Sequence, residues 1–165
     1  MTNRTTTTAQ RQNDRVRGFT AVELLTVTTI IGIVSAIAVP NFQGAKITGN
    51  ETAAVASMRT IASAAENFRT RYGFYPGAVS GDGLADLSDP NADPAPLIDE
   101  ILGSGQKSGY DFEFSGNFVT WECIATPTES STGFRSFYLD NTGLCRVEAD
   151  YATNGAATAN SPFLD

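Results

Sequence analysis

The chain offers few side chains that could perform catalysis. It has no histidine, so the commonest general base and the commonest metal ligand are both missing. A hydrolase without histidine would need a Ser–Lys pair or two neighbouring carboxylates, and no spacing in the sequence supports either arrangement. We therefore predict no catalytic residue, no metal site and no cofactor.

Four aspartates could suggest calcium binding. They are Asp82, Asp86, Asp89 and Asp93. All four fall in a predicted loop over residues 76–96, which is rich in glycine, proline and aspartate. Their spacing does not fit the EF-hand loop, which alternates oxygen ligands and ends on a glutamate. A solvated acidic loop is the simpler interpretation.

The two cysteines, Cys123 and Cys145, could form one disulfide or remain two thiols. An oxidised pair is usual outside the cytoplasm, which favours a disulfide. Geometry opposes it, because the cysteines fall on the second and fourth predicted strands. Such strands are about 9–10 Å apart in a simple meander, whereas a bridge needs Cα atoms within roughly 7 Å. Either the strand order is not a meander and the cysteines are bridged, or both are buried thiols; of the two, we predict the disulfide.

One carboxylate, Glu23, stands inside an apolar run. The 21 residues from Phe19 to Val39 carry that single charge. A helix of this length spans roughly 30 Å, the thickness of a bilayer core. A plain membrane anchor has no use for a glutamate, which costs about 2.5–3.5 kcal/mol at the centre of a membrane helix. The other simple interpretation is a cleaved secretory signal with residues 36–38 as its cleavage site, but the apolar region of such signals is usually shorter.

The residues around Glu23 form a recognisable signal. They are Arg17-Gly18-Phe19-Thr20-Ala21-Val22-Glu23-Leu24-Leu25, then the apolar run, then Pro40-Asn41-Phe42. This pattern resembles the class III signal of type IV pilins and type II secretion pseudopilins. Those families are cut between the glycine and the phenylalanine by an inner-membrane peptidase, which also methylates the new N-terminus. The resemblance implies a cleaved cytoplasmic leader of residues 1–18 and an N-methylated mature N-terminus at Phe19. This leader is long for pilins whose mature chain begins with phenylalanine.

The resemblance also implies an assembly role for Glu23. Its carboxylate would pair with the Phe19 amine, either four residues away in the same helix or in a neighbouring subunit that it draws into register. Gly32 and Ala36 form a small-xxx-small pair, which lets helices approach closely. Pro40 is predicted to bend or loosen the helix over residues 38–50. The implied partners are further copies of the chain in a homopolymeric filament, the prepilin peptidase and the inner-membrane assembly machinery.

Beyond Pro40 an amphipathic helix is predicted. Apolar residues recur every three or four positions from Val55 to Tyr72, and Gly73 ends the pattern. Asp93-Pro94 is predicted to open a short helix that ends at Gly103. Apolar residues then alternate with polar ones, which predicts strands near residues 110–114, 118–125, 134–139 and 144–149. A disordered tail is predicted from residue 153.

These patterns predict an α+β fold. A long N-terminal helix, membrane-spanning in its first half and amphipathic in its second, packs on a C-terminal antiparallel sheet of about four strands. The predicted segments are the leader at 1–18, the transmembrane and assembly helix at 19–40, its amphipathic continuation at 41–75 and the globular sheet domain at 76–165.

The charge distribution gives an orientation and excludes one partner. The net charge is −7, divided into +3 over residues 1–17 and −10 over the remainder. Arginines before the apolar run place the N-terminus in the cytoplasm and the C-terminal body outside. The acidic body argues against binding nucleic acid, because phosphate recognition needs a basic surface.

The predicted function is a structural subunit of a type IV pilus or pilus-like filament. It would be an inner-membrane single-pass precursor that later enters a periplasmic or cell-surface filament. A minor type II secretion pseudopilin is the alternative. The calcium loop of the major secretion pseudopilin is not recognisable here, which favours a pilus subunit or a minor, less typical member. The rival of a different class is a membrane-anchored periplasmic binding module, and an enzyme is more distant. A monomeric anchor would accept leucine at position 23.

Overall fold

The computed structural model describes residues 18–92 and 95–164. The leader before Gly18 and the predicted helix start at Asp93-Pro94 lie outside the described residues. The chain divides into two compact units, with the division between Val39 and Pro40. Helix α1, Ala21–Tyr72, contributes residues to both units.

In the second unit, α1 buries the predicted apolar stripe. The buried side chains include Met58, Ile61, Ala65 and Phe68. Tyr72 is 45% exposed, so the stripe ends one turn earlier than predicted. The helix stops at Gly73, as expected, because its φ of +82° is a left-handed conformation that glycine adopts without strain.

Five strands form one antiparallel sheet. They are β1 (Gln106–Lys107), β2 (Tyr110–Gly116), β3 (Trp121–Pro127), β4 (Ser136–Asp140) and β5 (Cys145–Glu148). Their spatial order follows the chain order, so the sheet is a meander. The antiparallel prediction is confirmed. The additional strand is β1, whose two residues are too few to give a periodic signal.

Alternate residues of the strands face α1 and complete the core. The buried set includes Tyr110, Phe112, Trp121, Cys123, Ala125, Phe137 and Leu139. Tyr110 is fully buried, and its hydroxyl donates a hydrogen bond to the backbone oxygen of Arg135 at 2.8 Å. That bond satisfies the one polar group that this large side chain brings into the core.

The predicted disulfide is absent: Cys123 and Cys145 are free thiols. Both are register partners of Leu139, which lies on the strand between them. Two strand spacings, about 9–10 Å, therefore separate the cysteines, beyond the reach of a bridge. Burial raises the pKa of the Cys123 thiol well above its usual range.

Two glutamates of α1 attach the helix to the globular unit. The Glu51 carboxylate accepts from the backbone N–H groups of Phe134 at 3.2 Å and Arg135 at 3.3 Å, and it pairs with the Arg135 guanidinium at 2.6 Å. Glu66 Oε1 accepts from the Tyr75 hydroxyl at 2.9 Å and the Trp121 indole N–H at 3.1 Å. The helix is thus held at two points, four turns apart.

The predicted loop over residues 76–96 contains a short helix, α2 (Gly83–Ser88). Asp82 caps it by accepting from the Ala85 N–H at 3.0 Å. Leu84 and Leu87 lie on its buried side. Another short helix, α3 (Glu100–Gly103), ends where predicted but begins later, because residues 95–99 are not helical. Its Ile101 side chain is 62% exposed.

The prediction of a disordered tail is wrong. Helix α4 (Tyr151–Asn154) is followed by a segment in which Ala157 is fully buried. The Ala157 N–H donates to Ser136 Oγ at 2.8 Å, and the Leu164 N–H donates to the Cys145 oxygen at 2.9 Å. Backbone hydrogen bonds therefore order a segment whose small polar side chains gave no packing signal.

Candidate processing and assembly segment

Gly18 and Phe19 are exposed at the start of the described chain. A side chain at Gly18 would meet no other atom within 4 Å, and the residue has no positive φ. The fold itself therefore does not require glycine at this position. A requirement for glycine would have to come from outside the chain, as it does at a site that a processing enzyme must grip closely.

Glu23 belongs to a capping box at the start of α1. Its Oε2 accepts from the Thr20 backbone N–H at 2.9 Å and from the Thr20 hydroxyl at 2.7 Å. In return, Thr20 Oγ1 accepts from the Glu23 N–H at 3.2 Å. This is the reciprocal pattern of a threonine N-cap with a glutamate three residues later.

This local reason for the glutamate was not among the predictions, although the Thr-x-x-Glu spacing is its signal in the sequence. The cap explains why a carboxylate is tolerated next to an apolar helix: it satisfies N–H groups that lack helical partners and lies at the positive end of the helix dipole. Cleavage after Gly18 would add a cationic Phe19 amine at the same end. The Glu23 charge would offset that cation as well, so the capping and pairing roles are compatible.

The helical segment of the first unit has an exposed apolar surface. All described side chains from Gly18 to Val39 are exposed, including Phe19 at 78% and Val22 at 71%. By length and composition, α1 contains a segment able to cross a membrane. A continuous apolar surface of this kind is unfavourable in water, so it needs lipid or other protein around it.

Three threonines inside the apolar segment bond to their own helix. The hydroxyls of Thr26, Thr28 and Thr29 donate to backbone oxygens of the preceding turn at 2.8–3.0 Å. Their polar groups are thereby satisfied without water, as a hydrocarbon environment demands.

Known proteins resemble this chain over its larger part. The "Type II secretion system core protein G" of Escherichia coli K12 is 29% identical over 100 residues, which cover 61% of this chain and 64% of that protein. The "Type IV major pilin protein PilA" of Myxococcus xanthus DK1622 is 30% identical over 125 residues, 61% of this chain and 57% of that protein. The chain is thus similar, over 50–61% of its length, to a type IV pilin and to type II secretion core proteins.

The similarity covers only part of each relative. The matched segments span 64% and 57% of these two proteins and 52% of a further type II secretion core protein G, from Pectobacterium carotovorum. No protein-family model matches the chain. The described fold is α+β, with a long apolar N-terminal helix and an antiparallel sheet.

The other predicted site residues lie apart from the N-terminal group. Gly18, Phe19 and Glu23 are together at the start of α1, whereas Pro40 lies inside the helix at the boundary between the units. Helical structure is assigned throughout residues 38–50, so a loosened turn at Pro40 stays a prediction. Proline does remove one backbone hydrogen bond there.

The aspartates of the acidic loop are engaged in local structure. Asp86 Oδ2 accepts from the Gly77 N–H at 2.8 Å and the Ser80 hydroxyl at 2.7 Å, and Asp82 caps α2. Asp89 accepts from the Asn91 N–H at 2.8 Å. Asp93 lies outside the described residues. Each of the three described carboxylates thus has a structural role that needs no metal.

Proposed function

We propose that this chain is a structural subunit of a type IV pilus or pilus-like filament. It would be inserted as a precursor, cut between Gly18 and Phe19, N-methylated at Phe19 and polymerised through its N-terminal helix. The observation that carries the proposal is the exposed apolar helix that begins with a capped, charged Glu23. Homology to pilins and pseudopilins supports the same conclusion.

The membrane stage uses the apolar part of α1 as a single-pass anchor. The four arginines of the first 17 residues keep the N-terminus in the cytoplasm, and the acidic globular unit lies on the other side of the inner membrane. Prepilin peptidase and inner-membrane assembly machinery are the proposed partners. Residues 1–18 would be the cytoplasmic leader that the peptidase removes.

Assembly exchanges lipid for neighbouring helices around α1. Gly32 supports this step, because a side chain there would meet nothing within 4 Å in the subunit, yet glycine costs about 1 kcal/mol relative to alanine inside a helix. A small residue with no purpose inside the subunit fits a close approach between helices of different subunits. Glu23 would place each subunit in register through the Phe19 amine of a neighbour.

A type II secretion pseudopilin is the second candidate function, favoured by the secretion-system proteins among the relatives. Both candidates are polymerising subunits without catalysis, and both would share the processing steps. They differ in the assembly to which the filament belongs, a type IV pilus in one case and a type II secretion system in the other.

The processing proposal is tested by intact-mass measurement of the chain purified from membranes. We expect the loss of residues 1–18 and the gain of one methyl group. A mature N-terminus at Val39 would instead indicate a secretory signal and overturn the proposal, as would an uncut chain. Gly18→Trp should leave uncut precursor while Gly18→Ala is still processed. Neither substitution should disturb the fold, because a side chain at Gly18 meets nothing.

A further inference from the structure

The turn between β2 and β3 displays an apolar tip. Phe118 is 65% exposed and Val119 is 70% exposed. The backbone of the turn is held by Asn117 Oδ1, which accepts from the N–H groups of Val119 at 2.7 Å and Thr120 at 2.8 Å. Phe118 stands 6.0 Å from the ring of Phe74, just beyond the C-terminal end of α1. A preorganised aromatic side chain of this kind loses little entropy on binding.

The same unit also contains an apolar groove, between α1 and the start of β5. It measures about 370 Å³. Its lining includes Val55, Met58, Ala62, Leu144, Phe163 and Leu164. Leu144 and Phe163, on its rim, are 50% and 51% exposed. The groove is wide enough for an aromatic ring and offers mainly hydrocarbon to it.

Charge distinguishes the two surfaces. The hairpin of β2 and β3, residues 110–127, carries Asp111, Glu113 and Glu122 and no lysine or arginine. The groove has one charged lining residue, Arg59. Arg59 is exposed and takes part in neither of the salt bridges found in residues 18–92 and 95–164. Glu122, two residues beyond the turn, is the acidic side chain nearest to the tip, and its charge is opposite to that of Arg59 in the groove.

The two surfaces lie at different heights along α1. The groove is beside Met58, and the tip is beyond Tyr72, a separation of roughly 20 Å at 1.5 Å per residue. Two copies that join tip to groove are therefore displaced along the helix axis. A contact between two different patches is heterologous and repeats from copy to copy, which builds an open polymer rather than a closed dimer.

We propose that Phe118 of one copy inserts into the groove between α1 and β5 of another copy, as a contact between globular units in the filament. The inference rests on the proposed function, since it needs a polymer. It adds a specific second interface to the packing of the N-terminal helices. Arg59 at the groove would face the acidic hairpin that carries the tip.

Cys145 provides the test, because its thiol lines the groove. The full-length chain is expressed as Phe118→Cys, and polymer in isolated membranes or sheared filaments is oxidised briefly. We expect a ladder of covalent oligomers on non-reducing gels, several-fold stronger than in Phe118→Cys/Cys145→Ser. Ile101→Cys is the matched control. Ile101 is 62% exposed on α3, belongs to neither the tip nor the groove, and should give no ladder.

A second measurement does not depend on thiols. Phe118→Ser should reduce the yield of sedimented polymer several-fold, whereas Ile101→Ser should leave it at the parental level. If polymer forms but Phe118→Cys gives no bond to Cys145, or if Phe118→Ser assembles as well as the parent, the inference is overturned and the proposed function stands. If the parent chain forms no polymer, the proposed function fails and the inference fails with it.

Discussion

Removing the Glu51 carboxylate should destabilise the globular unit by about 3 kcal/mol, the low end of the range for a buried ion pair broken on one side. Glu51 is 6% exposed. In Glu51→Ala, the N–H groups of Phe134 and Arg135 lose their acceptor, at a cost of about 1–3 kcal/mol for such unsatisfied groups. The Arg135 side chain is 42% exposed and can turn to water, which keeps the total near the lower limit.

The assay is urea unfolding of the full chain in detergent, followed by fluorescence of Trp121. This residue is the only tryptophan, and it is 4% exposed in the folded unit. Asp99→Ala is the matched control, because it breaks the Lys107–Asp99 pair, whose side chains are 36% and 48% exposed. Exposed pairs contribute about 0–1 kcal/mol. If Glu51→Ala is no more destabilising than Asp99→Ala, the reasoning about the buried carboxylate is refuted.

Two further predictions concern titratable groups of the sheet. Burial, then the hydrogen bond to Glu122, raises the pKa of Tyr138 to about 12. The folded protein thus favours the neutral phenol of Tyr138. Its contribution to the free energy of unfolding is fully present below the unfolded pKa of about 10 and is lost as the pH rises toward 12. The free energy of unfolding, measured from pH 9 to 12, should depend less on pH in Tyr138→Phe than in the parent chain. The same dependence on pH in both proteins would contradict this prediction. Cys123 and Cys145 should both take up a thiol label in the unfolded, unreduced chain, detected by mass. Labelling that requires prior reduction would show a disulfide instead.

Periodicity in the sequence predicted the large elements because each is long enough for its spacing of apolar residues to repeat several times. The stripe from Val55 to Phe68 covers about four turns, and strands β2 and β3 alternate over seven residues each. Strand order could not be derived from the pattern. A meander and a crossed topology place the same residues inward. The sequence pattern therefore does not decide whether the two cysteines lie on adjacent strands, and only the register of the sheet does.

The smaller elements depend on tertiary context. Helix α2 has one turn and a half, and only its Asp82 cap and two leucines mark it. The tail is ordered by bonds such as Ala157 N–H to Ser136 Oγ, which join residues 21 apart and leave no local signature. The capping box of Thr20 and Glu23 is different, since its spacing was visible. The same carboxylate can serve either as a helix cap or as one half of an ion pair, and the spacing alone does not separate the two roles.

The most direct test of the account compares polymer yield of Glu23→Gln with that of the parent chain. Glutamine keeps the capping box with Thr20, because the box accepts glutamate or glutamine, but it removes the charge. Glu23→Leu removes both. If the charge registers subunits through the Phe19 amine, both variants should insert, be processed and remain in the membrane, yet yield far less sheared filament. Parental assembly by Glu23→Gln, with a loss only in Glu23→Leu, would show that Glu23 is a helix cap and contradict its role in registration.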